Sequence, residues 1–266
     1  ETVLLPLLVF VLVPLREIFT PNDTSNYSKN DEERVLADKF YDRLLYALVP
    51  IQYAIVFYGL FILTNNNQDW SNIEIAGKVF SIGICCGIIG INVGHELGHR
   101  SNKNEQLMAK ALLLSSMYMH FYIEHNRGHH KNVATKLDPA TAQKGEIVYF
   151  FWFKSMILGY ISAWKLEMKK LRKLSLPFLS FRNEMIHFTV IQVLFVAIIY
   201  LIFGWNGAIY FLSAALIGIL MLETVNYIEH YGLERKMKEN GKYERVLPTH
   251  SWNSNHEEGR KVLFEL

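Results

Sequence analysis

The feature that most constrains this chain is a set of apolar runs too long and too numerous for the core of a soluble domain. Residues 3–15, 44–64, 73–94, 186–203 and 208–227 are almost free of charge. Crossing a bilayer takes about 20 apolar residues, and residues 3–15 read as a shorter version of such a run. Inside hydrocarbon every backbone N–H and C=O must be satisfied within its own segment, so such runs fold as helices. The expected fold class is therefore all-α, a polytopic transmembrane helix bundle. Two further runs are weaker: 107–123 carries Lys110 and His120, and 147–164 carries Lys154 and Gly159.

Charge between the runs sets their orientation. Segment 16–43 holds Arg16, Lys29, Arg34, Lys39 and Arg43, whereas 65–72 and 204–207 hold no Lys or Arg. Segments 95–185 and 228–266 are rich in both. The positive-inside rule places 16–43, 95–185 and 228–266 in the cytoplasm of a multi-pass membrane protein. That alternation works only if 107–123 and 147–164 are re-entrant or interfacial helices that do not cross. Net charge is +2, which gives no support to a nucleic-acid partner. Adjacent Cys85 and Cys86 point about 100° apart on a helix, so they form no chelate. No repeat or linker divides the chain, and residues 1–266 are read as one domain.

Six of the ten histidines fall in three groups. In His95-Glu-Leu-Gly-His99 the imidazoles are four apart, about 40° round an α-helix, so both can reach one metal. In Glu124-His125-Asn-Arg-Gly-His129-His130, an α-helix places His125 and His129 on one face and turns His130 about 100° further, so one helix serves two ions. His230, in Asn226-Tyr-Ile-Glu-His230-Tyr-Gly, stands where the last membrane helix emerges. All three groups fall on the face chosen by the lysine and arginine counts. Glu96, Glu124, Asp138, Asn226 and Glu229 flank them as candidates to hold an imidazole N–H and fix its orientation. His120, His187, His250 and His256 lack ligand-like spacing.

His95-Glu96-x-x-His99 also matches the zinc-peptidase pattern, with the glutamate as general base. An intramembrane zinc peptidase leaves His129 and His130 without a role, and two ions account for more of the residues. A third reading is a non-catalytic metal-binding or transport protein. Imidazole ligation by itself does not choose among zinc, copper, iron and nickel.

The matching text is Asn92-Val-Gly-His-Glu-Leu-Gly-His-Arg100, Phe121-Tyr-Ile-Glu-His-Asn-Arg-Gly-His-His130, Val133-Ala-Thr, Asp138-Pro-Ala-Thr141, Gly145-Glu146, Asn226-Tyr-Ile-Glu-His-Tyr-Gly-Leu233 and His250-Ser-Trp-Asn-Ser-Asn-His256. Over nearly its whole length the chain resembles the membrane-bound, rubredoxin-dependent alkane 1-monooxygenases. Desaturases and lipid hydroxylases of the same superfamily usually space the second box H-x-x-H-H rather than H-x-x-x-H-H. The resemblance implies two iron ions, O2 as co-substrate, terminal hydroxylation of medium-chain alkanes drawn from the membrane lipids, and electrons from rubredoxin and its reductase. It implies His95, His99, His125, His129, His130 and His230 as iron ligands. The family's further box, R-H-S-D-H-H, is expected beyond Leu266, and its first membrane helix before Glu1, so the sequence reads as a fragment. The basic side chains Lys165, Lys169, Lys170, Arg172 and Lys173 read either as a dock for an acidic redox partner or as topology determinants.

Overall fold

A computed structural model of the protein describes residues 3–21, 28, 30, 33–34, 37–65, 69–252 and 256. Lys29, residues 253–255 of the last motif and residues 262–266 lie outside them. The described residues form helices without a named strand. These are α1 (4–19), α2 (Lys39–Thr64), α3 (Asn72–His99), α4 (Lys103–Ser115), α5 (121–132), α6 (Val148–Lys173) and α7 (Glu184–His230). Helices α2, α3 and α7 are long and apolar enough to cross a membrane. The chain is thus an all-α membrane helix bundle, as its apolar runs require.

Local chemistry starts these helices. Asp38 accepts the Phe40 N–H at 2.8 Å to open α2. Ser71 and Glu74 cap α3 reciprocally, and Asn183 accepts the N–H groups of Met185 and Ile186 to open α7. Each cap satisfies donors that a first turn leaves free. Helix α7 is a hairpin: Gly204 alone leaves helical geometry, at φ 69° and ψ −169°. The rings of Phe195 and Phe211 lie 5.3 Å apart, although 16 residues of straight helix extend about 24 Å. The two halves are the two separate runs expected from sequence.

Helices α3 and α7 approach backbone to backbone. A Cβ on Gly218 would stand 2.8 Å from Cys86 Cβ and 2.8 Å from Gly87 N. Without a hydrophobic drive between helices in lipid, such close packing is what holds them together. Val56, Leu60, Val79, Ile82, Phe195 and Phe211 form one core. A second, with Ile91, Leu113, Phe121, Ile123 and Ile219, sits against the histidines.

The run 107–123 is not one helix. It breaks after Ser115, and Met117 takes φ 56°. The chain turns there, with the N–H groups of Met117 and Tyr118 closing on the carbonyls of Leu114 and Leu113, and resumes helix as α5. The apolar count joined two helices because both are buried on the same core. The run 147–164 extends to Lys173 as α6, which is not among the helices apolar enough to cross.

Candidate metal centre

Helix α3 continues past its apolar part to end at His99, and α5 faces it across a pair of rings. Four Nε2 atoms converge there. His95 to His125 and His95 to His99 are each 2.7 Å, His125 to His130 is 3.0 Å, His99 to His125 is 3.2 Å and His99 to His130 is 3.4 Å. All four ligand atoms lie within 4.8 Å of one another. His95, His99 and His125 form a closed triangle. A hydrogen bond needs one N–H and one lone pair, so no choice of tautomers satisfies three mutually adjacent nitrogens. A cation at the centre satisfies all of them. Adjacent nitrogens about 2.1 Å from a metal stand about 3.0 Å apart at right angles, in the middle of the observed range. The residues present therefore fit a metal ion.

The pairing differs from the α-helical expectation. His125 joins His130, not His129, at the four-imidazole group. The reason is local: 125–129 is a π-helical turn, and the His130 N–H donates to the His125 carbonyl five residues back. In a π turn residues five apart come onto one face, where an α-helix brings residues four apart. Gly128 permits it, because a Cβ there would collide with the Glu124 carboxylate.

His129 is left for a second position with His230, their rings 4.9 Å apart. Its Nδ1 is 3.0 Å from Asp138 Oδ2, and that carboxylate also accepts from Thr141 Oγ1 at 2.6 Å and Ala140 N at 3.2 Å. His230 Nδ1 is 3.2 Å from the His250 carbonyl. Both rings are thus oriented through Nδ1 with Nε2 left for a ligand, as outer partners of metal-bound histidines do. Rings of His125 and His129 stack at 5.2 Å, so the two positions adjoin.

Among the flanking polar residues, Asp138 alone bonds an imidazole among the described contacts. Glu96 pairs with Arg100, which also holds Asp42 and Glu105. Glu124 accepts from Ser162 at 3.3 Å, Asn226 donates to Glu223, and Glu229 stays 3.8 Å from His230 Nε2. The base that a zinc peptidase needs is therefore engaged in an ion-pair network. His250 is buried and offers its backbone carbonyl, while its own Nδ1 accepts from the Leu247 N–H. His187 and His256 are exposed.

The electrostatics favour neutral imidazoles where the four converge. Burial, followed by the neighbouring imidazoles, holds His125 well below its ordinary value. Burial and the same neighbours push His130 down to about 4. At His129 burial opposes charge, but the Asp138 carboxylate overcomes it and raises the pKa. Burial, then the charge of Asp138, lifts Glu124 to about 7.

A small polar cavity of about 20 Å³ is lined by Tyr118, His120, Glu124, Ser155, Glu223 and Asn226 among others; His120, Glu124 and Asn226 were candidates from sequence, whereas Tyr118, Ser155 and Glu223 were missed. The Tyr118 hydroxyl donates to Glu223 at 2.7 Å, and His120 Nε2 is buried without a described partner. An acid at position 223, inside a membrane run, was the available signal.

The geometry agrees with what comparison finds. The sequence model of the fatty acid desaturase family matches residues 74–262, which include all three histidine groups. Alkane 1-monooxygenase 2 of Pseudomonas aeruginosa is 37% identical over 259 residues, covering 97% of this chain and 68% of the relative. Alkane 1-monooxygenase 2 of Alcanivorax borkumensis is also 37% identical, over 97% of this chain and 67% of its own length. The hydroxylase component of xylene/toluene monooxygenase from Pseudomonas putida is 24% identical over 228 residues, 85% of this chain and 60% of the relative. A family match running through every imidazole group, with two relatives aligned over almost the whole chain, places this protein among the alkane 1-monooxygenases of the fatty acid desaturase family.

Proposed function

We propose that the protein hydroxylates medium-chain alkanes at the terminal carbon on a histidine-ligated pair of iron ions, at the cytoplasmic face of the inner membrane, with electrons from rubredoxin. The observation that carries this reading is the convergence of His95, His99, His125 and His130 Nε2, beside the oriented pair His129 and His230. The overall reaction is RH + O2 + 2 e− + 2 H+ → ROH + H2O. Bound iron supplies the oxidising chemistry that a C–H bond demands.

The chain's own residues supply the setting. His95, His99, His125 and His130 hold one position; His129 and His230 contribute to the second. Asp138 keeps the His129 Nδ1 proton in place, so that Nε2 faces the site. On the inner side the Phe121 ring stacks on His125 at 4.7 Å and joins the core of Ile91, Leu113 and Ile123. An alkane offers no polar handle, so an apolar wall next to the imidazoles suits it and excludes water. A substrate dissolved in the bilayer reaches such a wall laterally. His99 and His130 are exposed on the opposite side, which suits entry of electrons from water.

The test uses the purified protein with octane, O2, rubredoxin and its reductase. About two irons per chain and formation of 1-octanol are expected. His125→Ala is expected to abolish the alcohol and lower iron content while membrane insertion is kept. One zinc per chain with no alcohol would overturn the reading. Alcohol formed equally well with an unrelated electron donor would overturn the rubredoxin part alone.

A further inference from the structure

The exposed face of α6 changes character along its length. Phe150, Phe153, Ile157 and Ile161 follow one another at helical spacing and are all exposed. The same stripe continues as Lys165, Lys169 and Arg172, also exposed. The change falls within a single turn. An apolar stripe that becomes cationic in one turn marks the level at which hydrocarbon gives way to headgroups. At that level an open groove of about 650 Å³ runs along α6, lined by Tyr160, Ile161, Trp164 and Met168 and by Lys165, Lys169 and Arg172 of the same helix. Trp164 is fixed by stacking on Phe178 at 5.8 Å.

Three other cations of this region are already paired. Lys170 is taken by Glu167 and Glu184, Arg127 by the same two carboxylates, and Lys154 by Glu146. Lys165, Lys169 and Arg172 make no ion pair with any described residue. Like charges three and four residues apart on a helix repel one another. An anion among them removes that cost, and an apolar wall directly beneath them invites a chain attached to that anion.

We propose that this groove binds an anionic glycerophospholipid, with its phosphate among Lys165, Lys169 and Arg172 and an acyl chain along Tyr160, Ile161 and Trp164. An acidic protein surface would meet the charges but has no use for a wall that opens toward hydrocarbon. A larger basic cleft of about 940 Å³ shares Ile161, Lys165 and Lys169 with it and runs to Asp138, the residue that holds His129. The proposal needs only that the protein lies in a membrane and does not depend on the reaction it catalyses.

The test is made on the purified full chain in nanodiscs of phosphatidylcholine, with or without phosphatidylglycerol. Native mass spectrometry reads the lipid retained, and thermal unfolding reads stability. Preferential retention of phosphatidylglycerol is expected, with a matching rise in Tm. The preference should fall roughly fivefold for each cation removed, and should vanish in the variant combining K165Q, K169Q and R172Q. Metal content should stay unchanged there. The single variant Lys169→Glu gives the same reading with less perturbation. Equal retention of both lipids by the native chain would overturn the proposal, as would an undiminished preference in both variants. Displacement of the lipid by glycerol phosphate at equal concentration would show that the apolar wall plays no part and would also overturn it. Loss of electron-donor turnover with lipid preference intact would assign the cations to a protein partner instead.

Discussion

Asp138 shows how much one side chain outside the ligand set does. Its carboxylate holds the His129 ring by Nδ1 and is itself held by Thr141 and Ala140. Asp138→Asn keeps the shape and removes the charge. Metal affinity is expected to fall about 10- to 100-fold, read by competition with a chelator. Unchanged affinity would mean that His129 does not bind metal. His120 makes a different point. Burial pushes its pKa down to about 4, so the folded protein refuses a proton that the unfolded chain accepts near 6.5. The unfolded state then binds more protons, and stability rises with pH across that window. For metal-stripped protein, unfolding followed between pH 4 and 6.5 should show a shallower slope in His120→Gln, by at most one proton, or about 1.4 kcal/mol per pH unit. These residues differ in legibility. The spacing of His95 and His99 announced their shared face, and Asp138 stood close enough behind the second box to be suspected. Glu96, Glu124 and Glu229 looked equivalent to Asp138 in the sequence, because adjacency along the chain says nothing about which way a carboxylate turns.

At the scale of elements, the apolar runs located the membrane helices within a few residues, since hydrocarbon tolerates little else. What they could not give was the course of the chain where polarity is mixed. The break at Met117 came from tertiary packing, as two short helices bury their apolar faces on one core. The contact of α3 with α7 was equally hidden, because Gly87 and Gly218 lie 131 positions apart and read separately as weak points. Gly218→Ala places a methyl against the backbone of α3. A loss of about 1–3 kcal/mol is expected, measured as a lower Tm in detergent. No loss would mean that the two helices sit further apart than described.

For the whole molecule, the histidine groups from distant stretches of sequence meet in one place in the bundle. Buried Glu167 helps to keep them there. It accepts from Arg127 Nη1 at 3.0 Å, from Lys170 Nζ at 2.6 Å and from the Glu184 N–H at 2.9 Å, so it ties the second histidine box to α6 and α7. Glu167→Gln is expected to cost about 1–3 kcal/mol in thermal unfolding, with metal content falling in parallel. Retained metal at reduced Tm would confine its role to the scaffold. The π turn at 125–129 has a wider consequence. Adding a residue to an α-helix ordinarily rotates everything beyond it by about 100°. Here the addition is absorbed within one turn, so the first and last histidines of H-x-x-x-H-H point where those of H-x-x-H-H would. The number of residues between two histidines therefore does not by itself decide whether they share a face.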